Sequence, residues 1–294
     1  MQVITAYISV ILIWATTPLA IQWSSESVGF LFGITSRIFL GAILALIIIT
    51  LLGKRLAFHR KALQTYAAAG LGIFTAMLTV YWSAQYIPSG WISIIYGVTP
   101  IITGLFAMKL LGERGLTLFR FFAIVLSIIG LYIMFATGLQ FGPNTTYGII
   151  GVIASSVFYS FSMVMVKKID ADIDTYSTVT GSLLVSAVLY IGVWSGFGSD
   201  IPTNIPFRAG AAILYLATVG SLLGFFLFYY VLKRVEATRT SLITLITPIC
   251  ALMLGHFANN EAITNEVIIG CATILLGLLL FEFEGAIRRI NITD

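Results

Sequence analysis

The sequence predicts an all-α integral membrane protein with ten transmembrane helices, arranged as two inverted repeats of five helices each. Three observations lead to this prediction: an excess of apolar residues, a one-sided distribution of basic residues, and an internal sequence repeat. Of the 294 residues, 59% are hydrophobic and 10% are charged, whereas soluble domains have roughly 45–50% apolar and about 25% charged residues. This composition excludes a cytosolic enzyme, a nucleic-acid-binding protein and a disordered chain.

Ten stretches are apolar and long enough to cross a bilayer. A helix that rises 1.5 Å per residue needs about 20 residues to span a hydrocarbon core about 30 Å thick. The turn residues Pro88 and Gly90 separate the third stretch from the fourth, and the first is predicted to be a retained helix rather than a signal peptide. The predicted spans are Val3–Gln22, Val28–Leu52, Thr65–Ile87, Gly90–Leu110, Phe119–Thr137, Tyr147–Val166, Tyr176–Gly196, Ala209–Leu232, Ser241–Ala258 and Glu266–Phe283.

The basic residues set the predicted orientation. When alternate connections are assigned to opposite sides, 14 of the 16 Lys and Arg residues fall on one side, Arg208 falls on the other, and Arg37 lies inside the second span. Because basic residues concentrate in cytoplasmic loops, both termini are predicted to face the cytoplasm, in a bacterial inner (plasma) membrane. The pI near 9.1 then reflects topology, and no nucleic-acid partner is expected.

A sequence repeat relates the two halves of the chain. Ser93–Ile101 followed by Glu113 matches Ser241–Ile249 followed by Glu261 at a constant offset of 148 residues, with six identical positions. The predicted repeats are residues 1–141 and 142–294. Since each contains five spans, the second must enter the membrane from the opposite side. This predicts a pseudo-two-fold axis in the membrane plane, as in many secondary transporters.

Several local patterns resemble the EamA repeat of the drug/metabolite transporter superfamily, over essentially the whole chain. The second half departs from the pattern, because it has Asn260-Glu261 in place of Gly-Glu and Val185 at the offset of Arg37. The richness in aromatic residues is most similar to YddG-like aromatic amino-acid exporters, which implies export of a small metabolite. The matching residues are Leu12-Ile13-Trp14 with Pro18, Arg37 with Gly41-Ala42, Ala84-Gln85-Tyr86-Ile87-Pro88, Thr99-Pro100 and Leu111-Gly112-Glu113-Arg114.

Arg37 is the only formal charge well inside a predicted span. A charged side chain at membrane depth needs a partner or a watery cavity. Its planar guanidinium suits a substrate carboxylate, and pairing with the carbonyl end of a neighbouring helix is the alternative. Both interpretations stay open at this point.

Three prolines inside spans, Pro18, Pro100 and Pro248, are predicted to kink their helices. Proline has no N–H, so the carbonyl four residues earlier loses its helical donor. Helical spacing places hydroxyl and aromatic side chains on the same faces as these prolines, which predicts a central cavity lined by both repeats. Alternatively, the hydroxyls bond to their own helices. The side chains on these faces are Trp14 and Thr17, Tyr96 and Thr99, and Thr244 and Thr247.

Further polar and aromatic side chains are predicted to complete the substrate-binding wall. They are Tyr81 and Gln85 in the third span, Tyr159 and Ser162 in the sixth, and Tyr229, with Phe226 on its face, in the eighth. Glu113 and Glu261 follow the fourth and ninth spans. They are predicted to be structural caps, because a carboxylate favours the positive end of the next helix.

The sequence predicts a secondary transporter that exports amino acids, aromatic or otherwise bulky and apolar, by alternating access as a facilitator or exchanger. It has no Gly-x-x-x-x-Gly-Lys pattern for ATP and no cysteine spacing for zinc, so no metal or cofactor is expected. Its expected partners are a small-molecule metabolite and the lipid bilayer, and a monomer is expected. A proton-coupled drug/metabolite antiporter is the alternative, although no acidic residue lies securely in mid-span. A membrane-embedded enzyme is less favoured, since His59 and His256 fall on opposite sides. A channel is less favoured because the polar residues do not follow a continuous ring pattern.

Overall fold

The structure is a computed structural model that describes residues 2–87, 89–113, 117–135, 144–197, 201–250 and 264–290. The regular elements in these ranges are all helical. They are α1 Val3–Ala15, α2 Thr17–Ser25, α3 Phe30–Leu51, α4 Arg60–Ser83, α5 Ser89–Tyr96, α6 Thr99–Leu111, α7 Leu118–Phe135, α8 Thr145–Ile169, α9 Thr175–Gly196, α10 Phe207–Tyr215, a π-helical segment Leu216–Leu223, α11 Gly224–Leu232, α12 Ala237–Ser241, α13 (243–250) and α14 Asn265–Ile290.

Among the described residues, six stretches of helix are long and apolar enough to cross a membrane. Shorter apolar helices at Thr99–Leu111, Leu118–Ile133 and Ile268–Phe281 coincide with the fourth, fifth and tenth predicted spans. The predicted fold class, an all-helical integral membrane protein, is therefore confirmed, and the count of ten spans stays a prediction. The six are Val3–Ser25, Phe30–Leu51, Arg60–Ser83, Thr145–Ile169, Thr175–Gly196 and Phe207–Leu232.

The outer surface of the helices is apolar. Large hydrophobic side chains are exposed along α1, α3, α8 and α14, and Leu51 and Phe207 are 80% and 92% exposed. A contiguous apolar surface of this kind is unfavourable in water. It is suited to contact with lipid chains, which agrees with the integral membrane assignment.

Several helices extend beyond the apolar stretches that the sequence marks. Helix α4 begins at Arg60 where Thr65 was predicted, and α8 ends at Ile169 where Val166 was predicted. Hydropathy detects only the apolar part of a helix, whereas the ladder of backbone hydrogen bonds continues through polar residues at the membrane surface. At the start of α4, His59 Nδ1 accepts a hydrogen bond from the backbone N–H of Ala62 at 3.3 Å.

Two of the three intramembrane prolines begin new helices. Pro18 lies in the first turn of α2 and Pro100 in the first turn of α6, where proline is tolerated because that N–H has no helical acceptor. The predicted kinks at these two positions are therefore breaks between helices. Pro248 lies within the helical residues 243–250, and Pro88 lies outside the described residues.

The helices of the two halves of the chain pack against one another. Helix α4 lies against α8 and α9, α3 against α9 and the π-helical segment, α1 against α11, and α7 against α14. The α7–α14 contact is so close that a Cβ on Gly130 would lie 2.7 Å from the carbonyl oxygen of Gly270. Small residues allow membrane helices to approach in this way. The main core lies around α3, α4, α8 and α9, and a second cluster lies between α7 and α14.

Candidate functional site

A cavity with an empty volume of about 1020 Å³, counted with its opening, lies between helices from both halves of the chain. Apolar and aromatic side chains form most of its wall, together with hydroxyl groups and one guanidinium. Small-molecule sites commonly combine an apolar wall with a few polar groups that orient the ligand. The predicted site residues in this wall are Trp14, Thr17, Pro18, Arg37, Tyr96, Tyr159, Ser162, Tyr229, Thr244 and Thr247.

The guanidinium of Arg37 is the charged group of this wall. Arg37 is only 1% exposed, and it lies in the N-terminal half of α3. Its Nε donates to Ser221 Oγ at 2.8 Å, and its Nη1 donates to the hydroxyl oxygen of Tyr81 at 3.3 Å. Among the described residues, no carboxylate forms an ion pair with it. Since a guanidinium has five N–H donors, Arg37 has further donors with which to bind an anion in the cavity.

Aromatic rings gather around Trp14 on another part of the wall. The ring centroid of Trp14 lies 5.1 Å from that of Phe228, 6.2 Å from that of Phe225 and 6.3 Å from that of Tyr159. The indole Nε1 donates to the carbonyl oxygen of Gly220 at 3.4 Å, which fixes the ring against the π-helical segment. This cluster offers ring faces and edges to an apolar or aromatic ligand.

The hydroxyl groups of the wall differ in how they are satisfied. The buried hydroxyl of Tyr159 has no hydrogen-bond partner among the described residues. Tyr96 OH lies 2.5 Å from Ser155 Oγ. Thr247 donates to a carbonyl of its own helix, whereas Thr17 donates to the carbonyl of Ile13 in α1 and Thr244 to that of Ser241 in α12. Threonine bonding within the helix, which the sequence left as an alternative, therefore occurs at the cavity wall itself. Because the Tyr159 hydroxyl is itself buried, Tyr159 contributes its ring to the cavity wall.

Three predicted substrate-binding residues lie outside the wall. Tyr81 is buried behind Arg37, and its hydroxyl lies 3.3 Å from Ser24 Oγ. Gln85 is exposed and donates to the carbonyl of Trp82 at 3.1 Å, because α4 ends at Ser83 and the helical spacing no longer applies. Thr99 is buried beside α8, because the break between α5 and α6 changes the helical phase after Tyr96.

The prolines of the other two predicted faces also lie outside the wall. Pro100 and Pro248 are buried and are not among the lining residues of the cavity. In contrast, Pro18 follows Trp14 on the same face, since the helical phase is nearly kept across Thr16, whose backbone is in the α region.

The structure adds lining residues that the sequence did not single out. Phe225 could have been found, because it lies four residues before Tyr229 and shares its face. The sequence favoured Phe226 instead, but this ring stacks on Tyr176 at a centroid distance of 4.6 Å. Ile21, which helical spacing places on the face of Trp14, also lines the cavity. The additional lining residues are Gly72, Ile73, Ala76, Met77, Val80, Ile92, Ser93, Met163, Phe225 and Phe228.

Glu113, predicted to be a structural cap, lies at the start of α12. Its Oε1 accepts from the backbone N–H of Ala237 at 3.0 Å, and its Oε2 accepts from Thr238 Oγ1 at 3.3 Å. The start of α7 uses Thr117 instead, whose Oγ1 accepts from the backbone N–H of Arg120 at 3.2 Å. Glu261, the second predicted cap, lies outside the described residues.

Comparison with known proteins gives transporters and similar solved structures. The model of the EamA-like transporter family matches residues 1–136 and 146–283. The uncharacterized transporter YoaV of Bacillus subtilis is 23% identical over 98% of this chain and 99% of its own length. The uncharacterized inner membrane transporter YedA of Escherichia coli is 24% identical over 97% of this chain and 94% of its own. A protein crystal structure shares the fold with a TM-score of 0.75, 20% identity and 94% coverage of both chains.

Proposed function

Because the chain belongs to the EamA-like transporter family and is a membrane transporter, we propose that it exports amino acids with an aromatic or other bulky apolar side chain. The observation that carries the proposal is the cavity shared by the Arg37 guanidinium and the aromatic cluster around Trp14. The family and both relatives are named as transporters, which supports a function without catalysis.

Both binding groups lie close to one glycine, Gly220. The carbonyl of Gly220 accepts from the Trp14 indole at 3.4 Å, and a Cβ at Gly220 would lie 3.5 Å from Nη2 of Arg37. A substrate whose carboxylate binds Arg37 can therefore place its side chain against the Trp14 ring. An amino acid with an aromatic side chain has both groups within one small molecule.

The carbonyl of Trp14 is the proposed acceptor for the substrate ammonium, since it accepts from the backbone N–H of Thr16 and has a second lone pair. Pro18 cannot donate to the carbonyl of Trp14, as residue 18 of an unbroken helix would. Both residues line the cavity. A carbonyl that lacks its helical donor at membrane depth persists where it faces protein or a watery cavity. This carbonyl supports an amino acid as the substrate over a simple carboxylate.

The helix packing supports ten spans in two inverted repeats, residues 1–141 and 142–294. The first to fifth spans of one half correspond to the sixth to tenth spans of the other. When each helix is replaced by its counterpart, the α4–α8 contact becomes the α11–α1 contact. The α4–α9 contact likewise becomes the contact of α3 with the π-helical segment. The α3–α9 and α7–α14 contacts each join corresponding helices. Such exchange is expected from a pseudo-two-fold axis. Transport by alternating access would then rock the repeats about the cavity.

The proposed orientation of the chain in the membrane follows from the distribution of its basic residues. Fourteen of the 16 basic residues fall on one side of the proposed topology, which places both termini in the cytoplasm. A bacterial inner membrane is the proposed location, and a relative of 24% identity is named an inner membrane transporter. No acidic residue lines the cavity within the described part of the chain, which supports a facilitator or exchanger over a proton-coupled antiporter.

Counterflow in proteoliposomes tests the proposed function. Vesicles holding the purified protein are loaded with unlabelled phenylalanine and mixed with labelled phenylalanine, with and without a protonophore. We expect transient accumulation of label in both conditions, and competition by tryptophan but not by sugars or nucleotide conjugates. Strict dependence on a pH gradient would favour the proton-coupled antiporter, and accumulation only of non-amino-acid solutes would show that the substrate class is wrong. Protein-free vesicles are the control.

A further inference from the structure

The π-helical segment Leu216–Leu223 has an unusual hydrogen-bond pattern beside the cavity. In an α-helix the N–H of Gly224 would donate to the carbonyl of Gly220. Here it donates to the carbonyls of Val219 and Ser221. The carbonyl of Gly220 instead accepts from the Trp14 indole. The change in helix geometry thus gives the site an acceptor that a regular helix would use internally.

The next residue of the segment contacts the other binding group. Ser221 is fully buried, and its Oγ accepts from Nε of Arg37 at 2.8 Å. The hydroxyl of Tyr81 accepts from Nη1 at 3.3 Å, so the guanidinium is held from two sides. Because these bonds use Nε and one Nη1 hydrogen, they orient the remaining donors of the guanidinium.

A glycine at the end of the segment lets the indole come this close. A Cβ on Gly224 would lie 2.7 Å from Nε1 of Trp14 and 3.3 Å from the carbonyl oxygen of Val219. No real Cβ approaches a ring nitrogen so closely without a shift of one of them. The position of Trp14 therefore depends on residue 224 having no side chain.

We propose that Gly220 and Ser221 position the two groups that bind the substrate. Ser221 orients the Arg37 guanidinium for the carboxylate, and the Gly220 carbonyl holds the Trp14 indole for the side chain. Consecutive Cα atoms are about 3.8 Å apart, so one peptide unit sets the spacing of the two binding groups. Such π-helical insertions occur frequently at functional sites. The inference rests on the proposed function and names the residues that set its specificity.

Substrate selectivity tests the role of Ser221. Counterflow of labelled phenylalanine is inhibited with unlabelled phenylalanine or with its amide, which lacks the carboxylate. We expect Ser221→Ala to weaken inhibition by phenylalanine roughly tenfold, with the amide unchanged. Ser221→Thr, which keeps a hydroxyl, should retain the preference. Thr218→Ala is the matched control, since this hydroxyl of the same segment donates to the carbonyl of Leu214.

The role of the indole contact is tested at Gly224. Gly224→Ala should displace Trp14 and reduce the preference for phenylalanine over alanine, while the preference for phenylalanine over its amide remains. Gly210→Ala on α10 is the control, because its Cβ would make only an ordinary contact of 3.7 Å with Ile205. An unchanged preference for the aromatic side chain in a folded Gly224→Ala protein would overturn this part of the inference.

The outcomes separate the inference from the function on which it rests. If the unmodified protein does not prefer phenylalanine to its amide, the proposed carboxylate site is wrong and the inference fails with it. The positioning role alone is wrong if the unmodified protein prefers phenylalanine to its amide and the Ser221→Ala protein keeps the same preference. The same conclusion holds if Ser221→Ala weakens inhibition by phenylalanine and by the amide equally. Should Ser221→Ala not fold, Ser221→Cys replaces the hydroxyl acceptor by a weakly accepting thiol of similar size. An unchanged ratio in that variant overturns the proposal equally.

Discussion

The carboxylate of Glu113 at the end of α6 accepts a hydrogen bond at 3.0 Å from the backbone N–H of Ala237, the first residue of α12. The first N–H groups of a helix lack helical acceptors, and a carboxylate from a distant part of the chain supplies one here. The Lys167 ammonium lies 4.0 Å from the same carboxylate. Three helix ends, those of α6, α8 and α12, thus meet at one acidic side chain.

Removing this carboxylate should lower the stability of the protein. We expect Glu113→Ala to cost about 1–2 kcal/mol, the usual effect of losing a helix cap. Thermal unfolding of the detergent-solubilised protein measures it. Glu236→Ala is the control, because that acid is half exposed and pairs with Arg239 three residues later, a contact worth about 0.5 kcal/mol. Equal losses in both variants would contradict the capping role.

Arg37→Lys and Arg37→Ala should both abolish counterflow. A lysine ammonium lacks the planar set of donors that allows Arg37 to bind Ser221, Tyr81 and a carboxylate together. The alanine variant also leaves the two hydroxyls without their cationic partner. Arg208→Lys is the control, since Arg208 is exposed and pairs with Glu26 at 3.8 Å. Normal transport by a folded Arg37→Ala protein would exclude any role for this residue.

The aromatic wall should contribute directly to substrate affinity. We expect Trp14→Ala and Tyr159→Ala each to raise the half-saturating concentration of phenylalanine about tenfold, since ring contacts and buried ring area are both lost. Phe161→Ala provides a comparison, because this ring is 46% exposed on the outer surface and packs on Phe106 at 5.5 Å. Unchanged affinity in both site variants would show that Trp14 and Tyr159 do not contact the substrate.

Pro18→Ala should affect amine recognition. Alanine supplies an N–H that can bond to the carbonyl of Trp14, so this acceptor is lost to the substrate ammonium. We expect the variant to bind phenylalanine less well relative to its 2-oxo acid, which has the same ring and carboxylate but no amine. Competition in the counterflow assay gives this ratio. A ratio that matches that of the unmodified protein would rule out the carbonyl as the amine site.

Most of the helices could be predicted because their signal is local. Helix α3 runs from Phe30 to Leu51, inside the predicted Val28–Leu52, since apolar length alone defines it. The face of Trp14, Thr17 and Pro18 was also predictable, because the helical phase nearly survives at Thr16. At Thr99 the same reasoning placed the side chain on the wrong face, since two residues between α5 and α6 interrupt the helix.

The partners of Arg37 could not be predicted in the same way. The residue itself was conspicuous as a charge inside a span, but Ser221 lies 184 positions further along the chain. Its role depends on a π-helical turn, which no local spacing in the sequence marks. The contact between Glu113 and Ala237 was hidden for the same reason, because it joins the ends of helices from opposite halves of the chain.

The breaks before Pro18 and Pro100 give the helices beside the cavity two joints. The backbone ladder that stiffens an unbroken helix is interrupted at each joint, so bending there disrupts fewer bonds than bending a continuous helix. Trp14 lies on one side of the first joint, and Thr17 and Pro18 lie on the other, with all three facing the cavity. A ligand that contacts both sides of this joint at once would restrict bending at it. In this protein, tight binding and slow release would therefore have the same mechanical origin.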